Sequence, residues 1–133
     1  MNMAPSTAAV IHALNSWKKR GFEYGNSDCC IFAAHVLTEI TGRDYIARFQ
    51  YSNEKDASAL IQKHGDLSGL VSYALGIKPD DKYIDGDPVM VRLRTVGDAM
   101  GIKFGEHAVC LTRHGLTRVH HRHIIEGWSV CHQ

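Results

Sequence analysis

The chain has 133 residues, of which 44% are hydrophobic and 22% charged, with a net charge of +1; this suits one folded domain over residues 1–133 and excludes a disordered chain. So even a charge balance gives no electrostatic case for nucleic acid or for an acidic membrane surface. The four cysteines are too few and too irregularly placed for a disulfide framework, and with no signal-type N-terminus and no apolar run near the roughly 20 residues of a membrane span, the chain is expected to be soluble, with reduced thiols, made and kept in the cytoplasm unless assembled into a larger particle.

From Pro5 to Arg20, Val10, Leu14 and Trp17 recur at helical spacing, with Lys18, Lys19 and Arg20 before the stop at Gly21; this predicts an amphipathic helix with a basic C-terminal end. Phe22 to Asn26 reads as a loop. Ser27 or Asp28 then caps a second helix that carries Ile31, Phe32, Ala33, Val36, Leu37 and Ile40 and ends at Thr41-Gly42. Arg43 to Ser52 is a mixed connector. Asn53 to Gly65 holds a weaker helical pattern, and Asp66 caps a short fourth helix closed by Gly76. After Pro79 the texture turns to short β-type runs: Pro88 to Leu93, Met100 to Phe104, Ala108 to Thr112, Leu116 to His120 and Ile124 to Val130. Helices first and antiparallel strands second predict an α+β domain, N-terminal helices packed on a C-terminal antiparallel sheet.

Cys29 is the leading candidate for an active-site thiol. A thiol attacks carbonyl carbon as the thiolate, and the first turn of a helix favours that anion through its free N–H groups and dipole. Along the helix Cys29 shares a face with Ala33, Val36, Leu37 and Ile40, so it is expected to point toward the strands, whereas Cys30 points away from that stripe. The bland alternative is a pair of small buried hydrophobes in a tight helix–sheet contact.

A nucleophilic thiol needs a base within hydrogen-bond reach and a third group to orient that base. Among nine histidines, His107 heads a strand, and a hairpin around Arg113-His114-Gly115 would set His120 on the neighbouring strand. His107 could then meet Cys29 while His120 holds its ring. His121 and His123 would share a strand face, which raises a metal-binding module with Cys131 as a third reading. The run lacks the spacing of a zinc site, so neither metal nor cofactor is expected. Asp85-Gly86-Asp87-Pro88 reads as a turn feeding a strand, its carboxylates serving turn geometry.

Several of these runs resemble a known family. Phe22-Glu23-Tyr24-Gly25-Asn26-Ser27-Asp28-Cys29 is similar to the approach to the nucleophile in the NlpC-like papain-fold cysteine peptidases, and Gly86-Asp87-Pro88-Val89-Met90-Val91 to their Gly-Asp strand. His107-Ala108-Val109-Cys110-Leu111-Thr112 resembles their histidine strand, with His120 near the place of the third polar residue. The order covers Phe22 through His120. It implies a papain-like, NlpC-type fold and hydrolysis of a peptide amide, with a peptide or peptidoglycan fragment, above all a cell-wall stem peptide, as partner. Cys29 would attack, His107 would take and return the proton, His120 would orient it, and Tyr24 and Asp28 would line the substrate cleft.

A second register sets Gly101-Ile102 on the catalytic strand; Ala99 or Met100 then occupies the histidine position and the site is inactive. The runs Asp28-Cys29-Cys30 and Glu126-Gly127-Trp128-Ser129-Val130 are also similar to small phage and prophage proteins related to the NlpC enzymes. That likeness implies a phage context, with tail proteins as partners, assembly into the virion, and an inactive structural component of a tail tip or tail-assembly machinery as the alternative function.

Overall fold

The computed structural model describes residues 4–23, 28–94 and 97–131. In order along the chain these form helices α1 (Thr7–Asn15), α2 (Cys29–Thr41), α3 (Glu54–Lys63) and α4 (Leu67–Leu75), then strands β1 (Pro88–Leu93), β2 (Gly97–Phe104), β3 (His107–Thr112), β4 (Gly115–His120) and β5 (Ile124–Gly127). The α+β class is as expected.

Each helix begins on a side chain that takes an otherwise orphaned N–H: Ser6 for α1, Asp28 for α2, Asn53 for α3 and Asp66 for α4. α2 and α4 end on Gly42 and Gly76, both with positive φ. α1 is shorter than the apolar spacing suggests. The Ser16 hydroxyl donates to the Ala13 carbonyl at 2.7 Å, and tighter bonds from Trp17 to Leu14 and from Lys18 to Asn15 replace the α-helical ones. Trp17 is buried all the same, its ring edge-on to Phe32 at 5.4 Å.

The strands form one antiparallel sheet in the order β4-β3-β2-β1-β5. α2 crosses β2 and β3, with α1 packed beside it. One apolar layer lies between helices and sheet and includes Phe32, Val36, Leu37, Met90, Met100, Ile102, Val109 and Leu111. A smaller one covers the opposite face of the sheet with Val89, Val91, Ala99, Ala108, Cys110 and Val119. β1 contributes to both, and so its sequence reads as a continuous apolar run instead of an alternation.

Three further differences from the sequence reading bear on the site and its surroundings. β2 starts at Gly97, ahead of Met100. His121–His123 is a 3-10 turn rather than strand, so His121 and His123 do not share a sheet face. β5 ends at Gly127, after which Trp128 is buried with its indole N–H on the Ser72 hydroxyl at 3.0 Å.

Two residues fix the lower end of the sheet. Asp87 is fully buried, and its carboxylate accepts from the N–H groups of Ile84, Val130 and Cys131 at 2.8, 2.8 and 2.7 Å. It therefore joins the turn before β1 to the C-terminal segment, well beyond local turn geometry. Gly101 lets β3 come close: a Cβ there would stand 2.6 Å from Cys110 Sγ and 2.8 Å from the Val109 carbonyl oxygen.

Candidate active site

Asp28 caps α2 by accepting the Ile31 N–H at 3.0 Å, and its same oxygen takes the Tyr51 hydroxyl at 2.6 Å. Both bonds hold a buried carboxylate at the head of the helix. Cys29 follows in the first turn, half-buried, and touches both apolar layers.

It reaches both because the sheet opens there. β2 and β3 pair at Ile102–Val109, Lys103–Ala108 and Phe104–His107, whereas β1 follows β2 back to Gly97 and β4 follows β3 out to Thr112. Met100 lies beyond the end of the β2–β3 ladder, on the strand position whose N–H points toward β3. That N–H faces the sulfur of Cys29.

The thiol of Cys29 is held below its ordinary pKa. The largest cause is the Cys30 S–H donated to its sulfur; burial opposes, the Met100 N–H lowers it further, and the Asp28 charge raises it. Cys30 is pushed well above its ordinary value, first by giving its hydrogen to Cys29 and then by burial. Contrary to the helical-wheel expectation, Cys30 is not turned out of the core but is the more buried of the two. A cavity of about 120 Å³ opens beside Cys29, with Phe22, Asp28, Tyr51, Leu70 and Asp98 on its wall.

The histidines stand elsewhere. His107 and His120 are cross-strand partners, as the hairpin predicts, with ring centroids 6.1 Å apart. But His107 sits beside Phe104, four positions along β2 from Met100. At about 3.3 Å per residue that is roughly 13 Å, far outside hydrogen-bond reach. The structure does not bring His107 or His120 to Cys29. The physical reason is strand order: β2, not β3, follows the Gly-Asp strand and runs under the helix start, so Met100 occupies the facing position. His120 Nδ1 instead accepts the Arg122 N–H at 3.1 Å, and its basicity is lowered by partial desolvation and by His121, Arg122 and His107 nearby.

Residues 3–130 match DUF6950, a domain of unknown function. The chain belongs to the DUF6950 family. No curated protein matches it.

What chemistry this DUF6950 site can perform follows from its donors. It offers a stabilised thiolate, but amide hydrolysis also needs an acid to protonate the departing amine. Asp98 is the carboxylate across the cavity, and Arg92 holds it below the usual range through a two-point ion pair at 2.8 and 3.1 Å. An acid kept ionised in this way donates poorly. Asp28 is committed to the helix cap and to Tyr51. Tyr24 lies outside the described residues.

Tyr51, Asp98 and the Met100 amide were not singled out from sequence. Tyr51 carries a weak signal as an aromatic in a polar connector, beside the buried Tyr45 and Phe49. A main-chain donor such as Met100 carries none. Among the described residues, no three His, Cys, Asp or Glu side chains gather to hold a metal ion, and no helix is long and apolar enough to cross a membrane.

Proposed function

We propose that this domain keeps a papain-like, NlpC-type framework without its peptidase chemistry, and serves as a structural component of a phage tail tip or tail-assembly machinery. The observation that carries the first half is that the Met100 main chain of β2 faces Cys29, where a cysteine peptidase requires an imidazole. The phage context is supported by the likeness of Asp28-Cys29-Cys30 and of Glu126 to Val130 to small phage and prophage proteins.

The lowered pKa of Cys29 favours a second reading, a peptidase or amidase acting on cell-wall stem peptides. One assay separates them. Purified peptidoglycan and its stem-peptide fragments are incubated with the wild-type chain and with Cys29→Ala and His107→Ala, and products are followed by mass spectrometry. No turnover by any of the three is expected. Turnover by the wild type that Cys29→Ala abolishes restores the enzyme, and its loss in His107→Ala as well restores His107 as the base. For the assembly role, the chain is expected in tail fractions purified from an induced culture carrying its gene; its absence from them removes that half.

A further inference from the structure

The two margins of the sheet are finished differently. At β5, the Asp80 N–H donates to the Gly127 carbonyl at 2.8 Å and covers part of the edge. At β4, no backbone group among the described residues pairs with the outer margin. Register tells which groups are left. His121 N–H donates to the Glu106 carbonyl at 2.8 Å, so His107 and His120 face each other without bonding, and the bonded pairs alternate from Ala108–Val119. The N–H and C=O groups of Leu116 and Arg118 and the N–H of His120 therefore point outward, the His120 carbonyl being turned into the 3-10 turn that it caps.

Beside this edge runs a groove of about 580 Å³ between α1 and the sheet. Ile11, Leu14, Phe104 and Leu116 give it apolar walls, Lys18 and Arg118 supply its charge, and no carboxylate lines it. Ile11 is 40% exposed there, an uncovered apolar side chain of a kind that marks contact surfaces when it sits in a groove. Leu116 and Arg118 are two positions apart and so share the face turned toward α1.

We propose that β4 is a strand-addition site, receiving an extended segment of a partner protein that places an apolar and an acidic side chain two positions apart on its α1-facing side. The outward groups of Leu116, Arg118 and His120 would pair with the incoming backbone, its apolar side chain would lie across from Leu116, and its carboxylate across from Arg118. A second copy of this chain is a poor occupant. Antiparallel self-pairing about the middle of β4 would set Arg118 near its own counterpart, and like charges placed opposite are destabilising. The proposal is independent of the chemistry at Cys29.

The probe is a capped peptide, Thr-Val-Thr-Glu-Thr-Val-Thr, titrated into the isotope-labelled full chain and followed by amide chemical shifts. At about 1 mM, enough to populate a weak complex, shifts are expected at Leu116, Arg118 and His120 and along the exposed turns of α1. Replacing the peptide's Glu by Lys should weaken binding about tenfold, an effect that shrinks with added salt. Arg118→Glu should reverse that preference. Arg118→Pro removes an outward N–H without touching a β3–β4 bond and should abolish the shifts, its fold being checked by the unchanged spectrum of α2. Equal binding of the two peptides, shifts confined to other surfaces, or no shift at all overturns the proposal. So does a concentration-dependent dimer that protects β4, which would make a second copy the occupant.

Discussion

The main-chain N–H of Met100 faces the sulfur of Cys29 and helps to hold its pKa down, across the gap where β2 and β3 cease to pair. A backbone donor stabilises the thiolate but cannot accept and return a proton as an imidazole would. Iodoacetamide is therefore expected to label Cys29 at pH values below the ~8.5 of an ordinary thiol, with a rate that follows one ionisation and shows no histidine step near pH ~6.5. Because the Cys30 S–H is the largest stabilising contact, Cys30→Ala should move the profile upward. Peptide mapping of the adducts over a pH series checks both statements; an unmoved profile in Cys30→Ala removes the thiol–thiolate contact as the cause.

The remaining buried acids predict alkaline instability. Burial pushes the Cys110 thiol up to about 12. Cys131 is raised by burial and by Asp87, and Tyr51 by burial and its negative neighbours. Cys30 is raised too. In the unfolded chain thiols ionise near ~8.5 and tyrosine near ~10, so above those values unfolding releases protons that the fold retains, and stability falls as pH rises. Cys29 has the opposite sign: between its lowered folded value and about 8.5, stability rises with pH. Urea midpoints should therefore pass through a maximum near pH ~8 and decline above it. Cys110→Ala should flatten the decline, whatever it does to the absolute midpoint.

Gly101 is a position where the sheet tolerates no side chain. In Gly101→Ala the new methyl meets the Cys110 sulfur and the Val109 carbonyl together, and overpacking of this kind costs about 1–3 kcal/mol. Adding Cys110→Ala should recover only part of the loss, because the carbonyl belongs to the backbone. Full recovery in the double variant would mean that the sulfur alone set the limit.

Helix starts and glycine stops were legible in the sequence because caps act within a few residues: Asp28 and Gly42 bound α2 as the pattern says. The hairpin that pairs His107 with His120 was legible for the same reason. What a local pattern could not give was which strand runs beneath Cys29. That depends on the non-local order β3-β2-β1, and the His107 motif and the Gly101-Ile102 motif are equally good strands when read alone. The Cys30 environment was hidden likewise. Beside it stands Tyr51, which approaches from a connector with no periodic signal and is held there by Asp28.

Asp87 supports the last prediction. Its two oxygens take three main-chain N–H groups in a place closed to water. Asp87→Asn keeps the shape but turns one acceptor into an NH2 that faces N–H donors, so at least one bond is lost and a donor is left buried without a partner. The expected cost is about 3 kcal/mol, the upper part of the range for an orphaned buried polar group. If the Oδ1 side is the one disrupted, Val130 and Cys131 come loose, and Cys131, 3% exposed in the native fold, should become open to a thiol reagent under native conditions. If the amide group instead faces Ile84, the turn before β1 loosens and Cys131 stays closed. Native-state thiol counting by mass spectrometry tells the two apart, while an unchanged urea midpoint would mean that the carboxylate does not hold the C-terminal segment to the sheet.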